Sequence, residues 1–194
     1  MTAPARRANN RNDRLLDEAA RLFASQGYRE TTMRDIAAAT GMLPGSIYYH
    51  YPSKAELLVA VYEKGVEALC QRFDAVLDGV ADPWERLGKA LDVHMATVLD
   101  QGDYARVMVR VLPEHLPESA QELARLRDSY EDRIAGVIDA LPVNGEIDPK
   151  MLRFLILGAA NWAQTWYRPG MASPAEVARQ FLLIVQRPME ASDG

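Results

Sequence analysis

The chain has 194 residues, of which 48% are hydrophobic and 25% are charged, and its formal net charge is −5. A chain of this length can bury one good core or two small ones. The longest apolar run, near residues 154–162, is far shorter than the ~20 residues of a membrane-spanning helix, and the single cysteine, Cys70, excludes an internal disulfide. We therefore expect a cytoplasmic protein with neither a membrane span nor a secretory signal.

The charge is divided unevenly along the sequence. Residues 1–54 carry a net charge of +3, whereas residues 55–194 carry −8. A basic segment on an otherwise acidic chain is suited to a polyanion such as nucleic acid, so the N-terminal part is the expected DNA-binding part. Within it, residues 1–10 are polar, and we expect them to form a flexible basic tail.

Capping residues and glycine divide the next segment into short helices. Apolar side chains recur at helical spacing over about residues 11–26, which predicts the first helix. Thr32 and Asp35 form a capping-box pattern, so a second helix is expected to begin at Met33. Gly41 ends that helix, since glycine enters the left-handed conformation without a steric penalty.

A third helix is predicted from Pro44 to about His50. Proline suits the first turn of a helix, and Pro52 moves the residue before it out of the helical conformation. Ser53 and Glu56 form another capping pattern, so the next helix starts immediately afterwards. Two short helices joined by a glycine-containing turn form a helix-turn-helix, whose second helix enters the major groove of DNA.

The residues around this motif resemble a known family. The run TTMRDIAAATGMLPGSIYYHYPSK over residues 31–54 and the preceding LLDEAARLFASQGYRETT are similar to the N-terminal domain of TetR-family (tetracycline-repressor-like) transcription factors. The shared features are Phe23, the Gly27-Tyr28 turn, the paired threonines, and the Tyr-Tyr-His-aromatic run followed by a lysine. The resemblance covers about residues 11–60.

The resemblance implies an all-α protein with two functional parts. A three-helix, helix-turn-helix DNA-binding domain is expected over residues 11–56, and an effector-binding and dimerisation domain over residues 57–190. The resemblance also implies a transcriptional repressor that binds a palindromic operator as a homodimer and is released by a small apolar effector.

In that family the second helix of the motif and its flanks contact DNA. The hydroxyl of Ser46 and the aromatic faces of Tyr48 and Tyr49 suit base edges, while the flanking residues position the protein on phosphates. The expected DNA-binding residues are Thr32, Arg34, Pro44, Gly45, Ser46, Tyr48, Tyr49, His50 and Lys54. The alternative is that the tyrosines pack a small three-helix core, which is what we expect for Tyr51.

Proline and glycine residues divide the rest of the chain into six further helices. These are predicted at about residues 55–78, 84–100, 104–112, 118–141, 149–167 and 174–186. The sequence therefore predicts about nine helices and no strand.

The last two predicted helices are candidates for a dimer interface. The helix at 149–167 is apolar nearly all round, so it must be covered on most sides. The helix at 174–186 has Ala178, Phe181, Leu182 and Val185 on one stripe. In the TetR family the last two helices form a four-helix bundle with their twofold mates, and this pair fits that pattern. The alternative is an internal core within one subunit.

Large apolar side chains in the same region are candidates for an effector site. Trp162 and Trp166 share a helix face, and tryptophan and methionine supply adaptable apolar walls. The expected effector-binding residues are Met95, Met108, Tyr130, Trp162 and Trp166. The alternative is that they are ordinary core residues. The stretch NWAQTWYRPGMASPAEVA also resembles a pattern in TetR-family regulators of fatty-acid and steroid breakdown, which implies an acyl-CoA effector.

Motifs for metal binding and catalysis do not occur in the sequence. There is no HExxH, CxxC or nucleophile motif, and His94 and His115 lack a second ligand at helical spacing. We expect no metal, no cofactor and no enzymatic activity, and we expect these two histidines to lie on the surface or in a pocket. Two other classes stay open: a DNA-binding protein whose C-terminal domain binds a protein partner, and a small-molecule-modifying helical enzyme.

Overall fold

The structure of the chain is a computed structural model that describes residues 3–99, 102–111, 113, 116–143, 147–168 and 170–190. These residues form nine helices and no strand, which confirms the predicted all-α class. The helices are α1 (Ala3–Gln26), α2 (Met33–Thr40), α3 (Pro44–His50), α4 (Lys54–Leu77), α5 (Pro83–Val98), α6 (Asp103–Arg110), α7 (Ala120–Asp139), α8 (Pro149–Trp166) and α9 (Pro174–Glu190).

Two helix ends differ from the sequence prediction by more than two residues. Helix α1 begins at Ala3, so residues 3–10 are helical where the sequence predicted a tail. Alanine and arginine are strong helix formers, and a proline at position 4 is tolerated because it lies in the first turn. Helix α9 continues to Glu190 instead of ending near Gln186. Helix ends are the least certain part of any sequence-based assignment.

The turn of the helix-turn-helix forms for the reasons that the sequence predicted. The Asp35 amide donates to Thr32 Oγ1 at 3.2 Å, and the Thr32 amide donates to Asp35 Oδ2 at 2.8 Å, which completes the capping box. This hydrogen bonding lowers the pKa of Asp35. Gly41 has a φ of 66°, and its amide donates to carbonyls of the last turn of α2. The capping box therefore fixes the first residue of α2, and Gly41 ends the helix at the turn that leads to α3.

The chain divides into two compact units. The first combines residues 1–67 with 101–127, and the second combines residues 68–100 with 128–194, so the division falls inside α4 and α7. In the first unit α1 packs against α2 and α6, and α2 packs against α3. Its core includes Leu15, Ile36, Ile47, Leu57 and Leu58, all of them 0–1% exposed.

The second unit is centred on α5, which packs against α8 and α9. Leu87, Leu91 and Met95 of α5 are fully buried. Gly88 lets α9 approach closely, because a Cβ at that position would lie 3.0 Å from the side chain of Leu182. None of the helices described is long and apolar enough to cross a membrane. The predicted domain boundary near residue 56 stays a prediction.

Candidate nucleic-acid interface and effector region

Helix α3 buries a single side chain. Ile47 is 0% exposed, whereas every other residue of α3 is exposed. Tyr49 is 85% exposed and Tyr48 is 49% exposed, so neither tyrosine packs into the core. The helix therefore presents hydroxyl groups and aromatic faces to the outside, which is the chemistry that contacts base edges.

Tyr51 behaves differently from the two tyrosines before it. Its side chain is half-buried, and its hydroxyl donates to Asn12 Oδ1 at 3.0 Å. This contact ties the end of α3 to α1. The core role that the sequence analysis expected for Tyr51 agrees with this geometry, while Tyr48 and Tyr49 remain available to a ligand.

The start of α2 supplies further exposed groups near the motif. Thr32 and Arg34 are both exposed. The Thr32 hydroxyl is already engaged, because it accepts from the Asp35 amide and donates to Asp35 Oδ2 at 2.7 Å. Arg34 is the residue here whose exposed guanidinium suits a phosphate.

The ammonium group of Lys54, the first residue of α4, is bound by backbone carbonyl groups of the same chain. Its Nζ donates to the carbonyl oxygens of Tyr28 at 2.6 Å, Arg29 at 3.2 Å and Thr31 at 2.8 Å. The ammonium also lies 4.3 Å from the centroid of the Tyr28 ring. Burial lowers the pKa of Lys54, and the nearby carboxylate of Glu30 opposes that shift.

This geometry gives Lys54 a positioning task that the sequence analysis did not foresee. An ammonium has three N–H donors, and the three carbonyls use all of them. The side chain thereby holds the turn that leads into Thr32, where α2 is capped. The predicted phosphate contact of Lys54 stays a prediction, and it requires the ammonium to release one of these carbonyls.

Sequence reasoning missed one exposed apolar residue beside α3. Leu43, the N-cap residue of α3, is 76% exposed. Leu43 lies between a glycine that ends α2 and a proline that starts α3, so it belongs to no helical face that could bury it. This position in the sequence could have predicted its exposure. Its side chain adds an apolar surface that suits a thymine methyl.

The five residues predicted to bind an effector occupy different environments. Met108 belongs to the first unit, where its sulfur would lie 3.0 Å from a Cβ at Gly65. The other four belong to the second unit. Met95 and Tyr130 are buried there, whereas Trp162 is 67% exposed and Trp166 is 38% exposed. The two tryptophans therefore form part of the outer surface of α8.

A buried polar pair lies in the second unit. His94 Nδ1 and the Tyr130 hydroxyl share a hydrogen bond of 3.1 Å, and the two rings are parallel. His94 is 5% exposed, and among the described residues its Nε2 makes no hydrogen bond of standard geometry, although the side chain of Asn161 interacts with the ring. Burial lowers the pKa of His94 to about 4, while the side chain of Asn161 opposes that shift. The imidazole is consequently neutral at pH 7.

Nε2 makes His94 a candidate ligand contact, because the interaction with Asn161 does not complete a hydrogen bond of standard geometry. A buried polar atom without a partner costs about 1–3 kcal/mol, so a ligand that bonds to it recovers that free energy. The sequence analysis placed His94 on the surface or in a pocket, and its burial excludes the surface. The available signal was a polar residue on the apolar face of α5. His115 lies outside the described residues.

Helix α8 is apolar on two adjacent faces, one buried and one exposed. Its inner face packs toward α5 and consists of Leu152, Ile156, Ala160 and Ala163. Its outer face is exposed and consists of Met151, Phe154, Leu155, Gly158, Ala159, Trp162 and Trp166. We call this outer set the α8 stripe. A continuous apolar surface of this kind marks an interaction site, and the small residues in its middle allow another helix to come close.

Two protein-family models match the chain. The model described as "Bacterial regulatory proteins, tetR family" matches residues 15–61, which contain α2 and α3. The model described as "Tetracyclin repressor-like, C-terminal domain" matches residues 80–189, which contain α5 to α8 and almost all of α9.

The similar proteins include transcriptional regulators and a superantigen. The transcriptional repressor KstR2 of Mycobacterium tuberculosis is 30% identical over 95% of this chain and 96% of its own length. Among solved structures, the superantigen PfiT has a TM-score of 0.77 at 31% identity, covering 90% of this chain and 95% of its own. AibR in complex with isovaleryl coenzyme A and operator DNA has a TM-score of 0.75 at 24% identity, covering 90% and 97%.

The positioning role of Lys54 predicts a stability effect. Lys54→Met keeps the apolar stem but removes the ammonium that three carbonyls share. Hydrogen bonds to a charged group contribute about 1.5–3 kcal/mol, and partial exposure places the expected loss in the free energy of unfolding at about 1–2 kcal/mol by urea denaturation. Lys89→Met, which breaks an exposed pair with Glu85 and removes a charge near Asp92, should cost less than about 0.5 kcal/mol. Equal losses in the two variants would contradict the role.

The burial of His94 predicts a pH dependence of stability. In the unfolded chain the ring takes up a proton near pH 6.5, whereas in the folded chain it does so only near pH 4. The free energy of unfolding should therefore fall as the pH is lowered from about 6.5 towards 4. His94→Gln should flatten this decline, and His50→Gln, on an exposed ring, should not. A decline that is the same in all three proteins would show that His94 is not its cause.

Proposed function

Because the chain belongs to the TetR family of bacterial regulatory proteins, we propose that it is a dimeric, ligand-responsive transcriptional repressor in the cytoplasm, with no catalytic activity. The observation that carries the proposal is α3, a seven-residue helix that buries only Ile47 and exposes everything else. A helix that contributed only to a core would bury Tyr48 and Tyr49 as well.

The proposed operator contacts divide into base contacts and phosphate contacts. Ser46, Tyr48 and Tyr49 read base edges from α3, and Arg34 contacts a phosphate from the start of α2. In a dimer, two copies of α3 meet two half-sites, so the operator is palindromic. The net charge of +3 on residues 1–54 supports this assignment, although the whole chain is acidic.

Two substitutions distinguish a residue that contacts base edges from a residue that contacts a phosphate. A duplex selected from a random library with the unmodified protein and a scrambled duplex are compared by fluorescence anisotropy at several salt concentrations. Tyr49→Ala should weaken the selected duplex about tenfold more than the scrambled one, since it removes a base contact. Arg34→Gln should weaken both similarly and reduce the salt slope by about 1.

Tyr167→Ala, outside the first unit, is the matched control for Tyr49→Ala and should leave both affinities unchanged. If Tyr49→Ala weakened both duplexes equally, α3 would have no reading role.

The α8 stripe supports the proposed homodimer. Its large side chains are 38–67% exposed, and Ile184 of α9 adds another exposed apolar group at 68%. A second copy of the chain covers this surface in the proposal, with α8 and α9 of each subunit forming a four-helix bundle. On α9, Phe181 is half-buried, whereas Phe154 on α8 is 58% exposed, so Phe154 is the sharper probe of the interface.

Phe154→Asp should dissociate the dimer. The substitution places a charge in a surface that the partner would otherwise desolvate, and an unpaired buried charge is strongly unfavourable. Light scattering at micromolar concentration should report twice the chain mass of 21.6 kDa for the unmodified protein and the single mass for the variant. Gln121→Asp, an equally exposed change on α7, should remain dimeric. A folded monomer for the unmodified chain would overturn the interface.

We place the effector site in the second unit, around His94 and Tyr130. The surroundings are apolar, and the buried Nε2 of His94 can provide one directional hydrogen bond, which together suit an apolar molecule with a carbonyl group. An acyl-CoA thioester has that chemistry, and AibR was solved with isovaleryl coenzyme A and operator DNA. The alternative is a second unit that binds a protein partner, with the α8 stripe as the contact surface.

An acyl-CoA effector should release the operator. A hundredfold loss of operator affinity corresponds to about 2.7 kcal/mol of coupling, and the operator must weaken effector binding by the same factor. Short-chain to medium-chain acyl-CoAs are titrated into the anisotropy complex. His94→Leu should raise the half-releasing concentration about tenfold through the lost hydrogen bond, while Thr165→Val, an exposed change on α8, should not. Release by a non-thioester metabolite alone would contradict the acyl-CoA assignment, and release only by a protein would favour the alternative.

A further inference from the structure

A cleft in the first unit lies apart from the proposed effector site. Its volume is about 390 Å³, and it is bounded by the C-terminal end of α1, the turn after α1, and the C-terminal end of α6. Volumes of about 300–1,000 Å³ are usual for small-molecule sites. The cleft is at the lower end of that range, so it suits a small molecule and not a complete coenzyme A thioester.

The cleft combines an apolar wall with a cluster of arginines. Phe23, Val107 and Leu116 provide buried apolar surface. Arg29, Arg106 and Arg110 also line the cleft, and Glu30 is the one acid among the lining residues that the structure describes. Burial and the charge of Glu118 raise the pKa of Tyr28, so its hydroxyl stays protonated at neutral pH. Three guanidinium groups against one carboxylate give the lining a positive charge.

Two of these arginines have a structural role, and in the described part of the chain it uses one donor of each. Arg106 Nη2 and Arg110 Nη1 both donate to the carbonyl oxygen of Ala24, at 2.9 and 3.2 Å, near the end of α1. Cations stabilise the C-terminal end of a helix, which accounts for that pair of bonds. A guanidinium has five N–H donors, and one carbonyl takes a single donor from each.

One of the remaining donors is buried and has no partner. Arg106 Nε is inaccessible to solvent, and no acceptor lies within hydrogen-bond distance of it in the described part of the chain. A buried charged group with an unpaired N–H is costly, and an anionic oxygen is the partner that guanidinium prefers. This orphaned donor is a second observation, beside the arginine cluster, that favours an anion at Arg106, and the guanidinium must turn for Nε to reach a ligand in the cleft.

The geometry points to a second small-molecule site in this cleft, for an organic anion with a short apolar body and a carboxylate or phosphate head. The head bonds to Arg106 and to Arg29 or Arg110, and the body packs on Phe23, Val107 and Leu116. The site lies in the unit that contains the helix-turn-helix, whereas the proposed effector site lies in the other. A ligand here contacts the same turn, residues 27–30, that Lys54 holds from α4.

The probes are octanoate and octyl phosphate, which share the apolar body and differ in the head. Octan-1-ol lacks the anion, and inorganic phosphate lacks the body. Binding is followed in the full-length ¹⁵N-labelled protein through the Nε–H resonance of Arg106, which reports this cleft alone. Arg29→Gln and Arg110→Gln are compared with Arg14→Gln, an exposed arginine of α1 outside the cleft, after equal unfolding midpoints confirm that all three fold.

The site predicts that octanoate, octyl phosphate or both shift the Arg106 resonance in a saturable way. Response to only one of the two identifies the head group as carboxylate or phosphate. The dissociation constant should rise about tenfold in Arg29→Gln or Arg110→Gln and stay unchanged in Arg14→Gln. No shift with either anion at millimolar concentration, an equal shift with octan-1-ol, or unchanged affinity in both cleft variants would overturn the proposal.

Discussion

The ammonium of Lys54 is the interaction on which the DNA-binding part of the molecule depends. One charged group at the start of α4, on a partly buried side chain, donates to the carbonyl oxygens of Tyr28, Arg29 and Thr31. The turn they belong to leads directly into the capping box at Thr32, which sets the first residue of α2. Gly41 ends α2, and α3 follows it. The positions of Tyr48 and Tyr49 on α3 therefore depend on the turn that Lys54 holds.

The helix-turn-helix could be predicted from sequence because each of its parts is a local rule. The box formed by Thr32 and Asp35, the left-handed Gly41 and the proline at the first turn of α3 act over a few residues, and the structure has all three as expected. The role of Lys54 was beyond such rules. Its partners lie 23–26 residues away in sequence, and only the fold brings a lysine to those carbonyls.

The second unit was less predictable, because helical spacing identifies an apolar face but not what covers it. The pattern in α8 indicated a helix that is apolar nearly all round, yet spacing could not show that Trp162 and Trp166 lie on the outer face while Ala160 and Ala163 lie on the inner one. The hydrogen bond between His94 and Tyr130 joins α5 to α7, and no pattern in the sequence of either helix predicts it. The early start of α1 follows from helix propensity outweighing polarity.

In the proposed repressor, a dimer formed through the α8 stripe carries two copies of α3 that read one operator. Hydroxyl-radical footprinting on a duplex selected with the unmodified protein tests this most directly, since it records where each copy covers the DNA backbone. The predicted result is two protected patches related by a dyad, with centres about one helical turn, or about 34–36 Å, apart. A single protected patch, or protection without dyad symmetry, would contradict it.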